Sequence, residues 1–390
     1  MLSCAAPQGA AVQTINHVRD VYDLRVATDG NSALALFAID GDTGCVVDGC
    51  YVFHQLAELT FERSGAVSGI GAPPNSEVGI SPSTDGTPFV MGGALHMLTQ
   101  GHAGAAAMRE AGRDAADTIY IAHDGKVLTR SPKWFTGTFA AVGMGSFALA
   151  LGAGREWGYQ LHGSDDAPRS VRAFHIASDG KLVGELVWQD PAGNPSEQVT
   201  APTVAAEGTT AAYGYLRQAK SGAPADLWIG LLDPATAKPI GQPQRVAQAV
   251  TGAPALLVDR GLVYIVYATR VDPHARYQLW QRLWRVGEPA PSSPTQLTSP
   301  TLDALAPALT KVDGRILLAW MDATNERRGS IWAGSGTTAQ NALTAGTRRS
   351  EATVGNARDP AWGAGAHRAV LAWTEHDGPR MVRLSWCQVE

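Results

Sequence analysis

The sequence predicts an all-β fold built from repeated four-stranded units, and three observations carry that prediction. A hairpin pattern recurs along the chain, charged residues are scarce, and sustained helical periodicity is nearly absent. The clearest copy spans residues 301–332. There an apolar run ends at Asp313-Gly314, a second run closes on Ala319-Trp320, and a charged segment leads into a third. Asp-Gly between two β-rich runs is a strong hairpin signal because both residues tolerate positive φ. Residues 252–280 and 358–386 spell the same pattern. Only 17% of residues are charged, whereas Gly (43) and Pro (23) are abundant, a balance suited to many short strands joined by tight turns.

A glycine marks the first hairpin turn of each unit: Gly30, Gly86, Gly145, Gly208, Gly261, Gly314 and Gly365, at spacings of 56, 59, 63, 53, 53 and 51 residues. Seven four-stranded units of this length are the arithmetic of a seven-bladed β-propeller with antiparallel blades, here expected as one domain over residues 1–390. One segment departs from the pattern. The Ala-rich stretch Ala103–Asp117 reads as helix, within an insert over about 96–117 in the second unit.

The two ends of the sequence fit together. The seventh unit stops after its third strand (MVRLSWCQVE), whereas residues 11–18 (AVQTINHV) form a spare strand-like piece before the first hairpin. An N-terminal strand completing the last blade leaves no unpaired inner edge. Cys4 lies just before this piece, and Cys387 ends the strand that it would meet. Cys45 and Cys50 flank Val46–Gly49. Of three possible connectivities, topology favours Cys4–Cys387 with Cys45–Cys50.

Disulfides imply an oxidising setting, so the protein is expected to be secreted, periplasmic or at the cell surface. The start Met1-Leu2-Ser3-Cys4 suggests a mature chain whose export signal has been replaced. Leu2-Ser3-Cys4-Ala5-Ala6 also resembles the end of a bacterial lipobox, which makes a lipid anchor on Cys4 the rival reading. Trp134–Gly154 lacks charge, but its five glycines and its phase with the repeat make it a hairpin, and no transmembrane segment is expected. A net charge of −5 offers no basic face for nucleic acid.

Signatures of catalysis are missing. There is no Gly-x-Ser-x-Gly, no His-Glu-x-x-His and no Gly-rich phosphate loop. The Cys45/Cys50 spacing does not suit zinc. Asp40, Asp42 and Asp48 resemble a calcium loop without its distal Glu, so a capped turn is the simpler reading. No cofactor, metal ligand or catalytic residue is therefore assigned. Ser83-Thr84-Asp85-Gly86-Thr87 resembles the Ser-x-Asp-x-Gly-x-Thr-Trp box of sialidase-like propellers, but the other units lack it. The resemblance implies the architecture and carries over no catalytic residues.

Antiparallel blades put the loops between second and third strands on one face, together with the links between blades. These are the long, polar segments, such as 40–49, 152–170, 269–276, 322–329 and 374–380, and binding on a rigid scaffold belongs in such loops. Arg155, Trp157, Tyr159 and His162 combine a cation, two aromatic platforms and an imidazole, a mixture suited to sugars, peptides or acidic groups. Arg270, His274, Arg276, Glu326, Arg327, Glu375 and His376 are expected on neighbouring blades of the same rim, in a shared ligand groove. Asp23, Glu77, Asp303 and Asp359 precede first strands and would ring the channel mouth. Four carboxylates there suit a cation or acid–base work, although turn and cap roles explain them more simply. Trp320 and Trp373 on second strands, and Trp228, Trp280, Trp332 and Trp386 on third strands, recur in phase and read as filling between blades.

With no catalytic signature, the sequence favours an extracytoplasmic, non-enzymatic binding or scaffold protein that recognises a protein or glycan ligand through its long-loop face. The alternatives are a glycan-active hydrolase or lyase, with Asp303, Glu375, His376 and Arg155 as candidate members, and a structural subunit of an extracellular assembly.

Overall fold

The computed structural model describes residues 2–12, 18–46, 49–71, 80–103, 117–123, 126–132, 136–155, 170–189, 198–219, 223–324, 329–350, 356–376 and 380–390. Two short strands come first, β1 (Leu2–Cys4) and β2 (Gln8–Ala11). Blade 1 follows as β3 (Val18–Thr28), β4 (Ser32–Val46), β5 (Gly49–Glu62) and β6 (Val67–Gly71). Blade 2 is β7 (Ile80–Met91), β8 (Ala94–Ala103), β9 (Asp117–His123) and β10 (Lys126–Pro132). Blade 3 is β11 (Thr136–Met144), β12 (Phe147–Arg155), β13 (Ser170–Ile176) and β14 (Leu182–Gln189).

Blade 4 comprises β15 (Gln198–Glu207), β16 (Thr210–Gln218), β17 (Ala225–Asp233) and the first part of β18 (Lys238–Asp259). The rest of β18 opens blade 5, which continues through β19 (Leu262–Thr269), β20 (Gln278–Arg285) and β21 (Thr295–Gln296). Blade 6 holds β22 (Ala304–Val312), β23 (Arg315–Asp322), β24 (Ser330–Gly336) and β25 (Thr347–Arg348), with the short helix α1 (Ala339–Thr344) before β25. Thr338 caps α1, its hydroxyl accepting from the Asn341 N–H at 3.1 Å. Blade 7 is β26 (Ala357–Ala364), β27 (Ala369–Glu375) and β28 (Met381–Val389).

All described pairings are antiparallel, and they form six sheets because β18 passes unbroken from blade 4 into blade 5. The first strands touch in a closed cycle, β3 to β7, β11, β15, β18, β22, β26 and back to β3. This is a seven-bladed β-propeller. Its core is divided among the seams between blades. Val21, Phe37, Val370 and Leu384 pack between blades 7 and 1, and Leu149, Val199, Tyr213 and Leu232 pack between blades 3 and 4. Trp320 and Trp373 are buried and Trp332 stacks on Trp320 at 6.2 Å, so the in-phase tryptophans do fill seams.

The ring closes as the sequence suggests, but over residues 2–11 rather than 11–18. Both β1 and β2 pair with β28, and a break in the ladder at Ala5–Pro7 separates them, where proline has no N–H to give. Cys4 faces Cys387 in register and is disulfide-bonded to it across 383 residues of sequence. With its sulfur in this bond, Cys4 offers no thiol for a lipid. Cys45 and Cys50 are register partners across β4 and β5, and their side chains lie outside the description.

Three local expectations are corrected. Gly86 lies within β7, and the turn of blade 2 is Gly92-Gly93, at φ 60° and 79°. Of the expected loop 40–49, residues 40–46 and Gly49 are strand, because the β4–β5 ladder runs on to Val46 and Gly49. The expected helical insert begins as strand, since β8 extends to Ala103; residues 104–116 lie outside the described residues. Trp134–Gly154 contains the β11–β12 hairpin, and among the described residues no helix is long and apolar enough to cross a membrane.

On the face carrying the first hairpin turns, Lys311 joins three blades. Its Nζ pairs with Glu207 of blade 4 and, at 2.7 Å, with Asp259 of blade 5. Desolvation would lower its pKa, but the hydrogen bonds it donates to these carboxylates, and their charge, outweigh that and raise it.

Candidate active site

Six of the seven first strands carry a bulge near the end that faces the long loops. Asp23-Leu24 stands opposite Phe37, Ala201-Pro202 opposite Tyr215, Ala306-Pro307 opposite Trp320 and Asp359-Pro360 opposite Trp373. In blade 5, Gly252–Pro254 bulge opposite Tyr267, and in blade 2 Ser83–Asp85 bulge opposite Gln100. The five aromatics are buried. At each two-residue bulge the leading residue is left-handed: φ is 53° at Asp23, 50° at Ala201, 47° at Ala306 and 52° at Asp359. A non-glycine residue costs about 1 kcal/mol there, and Asp tolerates it better than most. Blades 4 and 6 place a methyl group at this position, whereas the adjacent blades 7 and 1 place carboxylates.

Those carboxylates gather at one seam. Asp359 is half-buried. Burial first, then repulsion from Asp23 and Asp20, outweighs Arg358 and a hydrogen bond from Thr374, and the carboxyl is pushed up to about 6. Asp23 is exposed beside it. From β3, Asp20 Oδ1 reaches His376 Nδ1 at 3.0 Å, and His376 Nε2 lies 2.9 Å from the hydroxyl of fully buried Thr374. Burial, assisted by Arg358 and Arg380, lowers the His376 pKa despite Asp20, so the ring is neutral at pH 7. A carboxylate only accepts, so Nδ1 carries the hydrogen and Nε2 accepts from Thr374.

The remaining predicted residues are dispersed. Glu375 is 2% exposed and occupied, accepting from Arg383 Nε at 2.9 Å and Trp373 Nε1 at 3.2 Å, which makes it an internal strut. Asp303 caps a turn, its carboxylate accepting from the Tyr277 N–H at 2.9 Å. Arg270 lies 5.0 Å over the Tyr277 ring and lines a cleft of about 400 Å³ between blades 4 and 5, together with Gln218, Asp272 and Pro273. The His274 N–H donates to Asp272, and Arg276 donates to the Thr301 carbonyl; both residues are exposed. Arg155 ends β12, its side chain outside the description. Trp157, Tyr159, His162, Glu326, Arg327 and Glu77 lie outside the described residues. Among the described residues, no group of three His, Cys, Asp or Glu is placed to hold a metal ion.

Asp20 and Thr374 are absent from the sequence reading. Nothing local marks them, because their partners come from the other end of the chain. Asp359 and Asp23 carry a signal that sequence comparison between units reveals: Arg358-Asp359-Pro360-Ala361 aligns with Leu305-Ala306-Pro307-Ala308, an acid where the repeat has alanine.

No protein-family model matches the sequence, and no curated protein is similar to it. Solved structures are similar in fold. A puromycin-hydrolyzing peptidase from Mycobacterium tuberculosis is 12% identical, with 93% of this chain aligned to 51% of that one at a TM-score of 0.50. A polysaccharide lyase is 10% identical over 94% of this chain and 90% of its own, TM-score 0.49. A mutant sialidase of Trypanosoma rangeli is 10% identical over 96% and 55%, TM-score 0.45. The chain spans about half the length of the peptidase and the sialidase. By their names these neighbours are enzymes, two of the three acting on glycans, which runs against the expectation of a non-enzymatic binding scaffold.

Proposed function

We propose that the chain is a glycan-active enzyme, best read as a glycoside hydrolase, whose acid–base pair sits at the seam between blades 7 and 1. The observation that carries this reading is the Asp359 carboxyl, raised to about 6 beside Asp23 and Asp20. Two neighbouring carboxyl groups in unequal surroundings divide acid and base roles between them. Half-buried Asp359 keeps its proton into the weakly acidic range and donates it to the leaving glycosidic oxygen. Exposed Asp23 serves as the opposing carboxylate at the anomeric carbon or its attacking water. The exposed Arg358 beside them is available to substrate hydroxyl or carboxylate groups. The disulfide supports export to an oxidising compartment, where polymeric glycans are met.

The test is a panel of neutral and acidic polysaccharides incubated with the protein, with release of reducing ends and ultraviolet absorbance of unsaturated sugars followed together. New reducing ends without unsaturation, abolished in Asp359→Asn, are the expected result. Unsaturated products would replace hydrolysis with β-elimination. Equal cleavage by Asp359→Asn, or none by the wild type across the panel, would remove the site.

A further inference from the structure

We infer that the cleft between blades 4 and 5 is a binding site for a carboxylate-bearing sugar, a uronic or sialic acid unit. It lies across the ring from Asp359, and the inference does not depend on Asp359 being an acid. The floor is the stretch of β18 around Ala249–Thr251, where that strand leaves blade 4 for blade 5. Gln218 and Pro224, from the β16–β17 link, form one wall; Arg270, Asp272 and Tyr277, from the β19–β20 link, form the other. Both links join second to third strands, so the cleft opens on the face toward which the bulges of Asp23 and Asp359 stand. Its volume of about 400 Å³ lies within the range of small-ligand sites, about 300–1,000 Å³. Every side is braced. Gln218 Nε2 donates to the Ala223 carbonyl at 3.1 Å, and the Thr269 hydroxyl donates to the Ala249 carbonyl at 2.9 Å. The Tyr277 N–H donates to Asp303 at 2.9 Å, and the Tyr277 carbonyl accepts from the Ala304 N–H at 2.8 Å. Walls fixed in advance spare a ligand the cost of ordering them.

The chemistry of the lining selects the ligand. Arg270 is half-buried, and its guanidinium lies 5.0 Å over the half-buried Tyr277 ring. A guanidinium stacked on a ring is held in place while the fork of N–H donors along its edge stays open to a carboxylate. Among the described residues, no hydrogen bond or ion pair uses that fork. Asp272 lines the same cleft without pairing with Arg270, and its Oδ1 accepts from the His274 N–H at 2.8 Å. The cleft therefore offers donors for a carboxylate, a carboxylate that accepts from hydroxyl groups, and an aromatic surface for an apolar face. A ligand that is anionic throughout, such as an acidic peptide, would be drawn to Arg270 and repelled by Asp272. A sugar acid meets both, bringing its carboxylate to Arg270 and its hydroxyls to Asp272. Uronic and sialic acids share this combination.

The experiment is titration calorimetry at pH 7 on the full chain carrying Asp359→Asn, which keeps turnover out of the measurement. The probes are tetragalacturonic acid and its methyl ester, sialyllactose and lactose, and a tetraglutamate peptide. At least one acidic sugar should bind, about tenfold or more tighter than its neutral counterpart, and which one binds identifies the sugar. Adding Arg270→Gln should weaken that binding by about tenfold or more with the melting temperature unchanged. If Arg270→Gln does not fold, Arg270→Lys, which keeps the charge and loses the fork, decides by the same loss. Asp272→Asn keeps an oxygen for the His274 N–H, and it should weaken the acidic sugar several-fold. Undiminished binding in the Arg270 variant, equal binding of acidic and neutral sugars, or no binding of either acidic sugar overturns the site. Peptide binding as tight as that of the sugar, strengthened by Asp272→Asn, makes the cleft an acidic-peptide site and overturns the sugar assignment. Cleavage by the wild type is scored separately, so the fate of Asp359 as acid and of this cleft are read independently.

Discussion

Asp359 on β26 and Asp23 on β3 hold the same position in adjacent blades: each leads a two-residue bulge, at φ 52° and 53°, opposite a buried aromatic, Trp373 and Phe37. Of the four two-residue bulges, those of blades 4 and 6 are led by alanine, and only the adjacent pair in blades 7 and 1 is led by carboxylates. The seam between that pair is also where the two ends of the chain meet.

Replacing Asp359 separates function from stability. Asp359→Asn should lower glycan cleavage by at least about 100-fold, the usual scale for a general acid. The folded-state pKa, about 6, lies above the ordinary 3.8. Stability is therefore full below about pH 4 and is lost as pH rises through 6, by about 2–3 kcal/mol. Asp359→Asn removes this slope, so its melting temperature at pH 7.5 should exceed the wild type's by about 2–4 °C and match it at pH 4. Calorimetry at both values checks the sign.

Activity of the wild type should fall as pH rises through about 6, because the acid must hold its proton. The basic limb of the kcat/KM profile reads this directly, and a flat profile between pH 5 and 8 would contradict it.

Cys4→Ser paired with Cys387→Ser opens a loop of 383 residues in the unfolded chain. The expected loss is about 3–5 kcal/mol, or about 4–6 °C for a chain of this size, measured by thermal unfolding with and without reductant.

Lys311→Met leaves Glu207 and Asp259 without the cation that joins them to blade 6. The pairs are partly exposed, so the expected loss is about 1 kcal/mol at low salt, shrinking in high salt as the charges are screened. Because the folded state raises the Lys311 pKa, this contribution persists below pH 10.5 and fades above it.

The architecture is legible in the sequence because each blade repeats one local solution. Gly261 and Gly314, both at φ 74°, are turns that a reader can find from an apolar run and one small residue. Gly86 misleads for a physical reason: Ser83–Asp85 is a bulge, and a bulge needs the same permissive residues as a turn. The closing strand is misplaced because Pro7 divides it into two pieces too short to show alternation. The site is half legible. Asp359 stands out against Ala306 once units are aligned, but Asp20 meets His376 only through ring closure, which no window of sequence contains.

The exchange of β1 and β2 onto β28 also governs biogenesis. Once made, β1 and β2 must wait, edges unsatisfied, until a partner some 383 residues downstream has emerged. Blade 7 therefore cannot be completed until β28 has been made, long after Asp20. A chain lacking residues 380–390 has no β28, and with it no strand for β1 and β2 to pair with and no partner for Cys4.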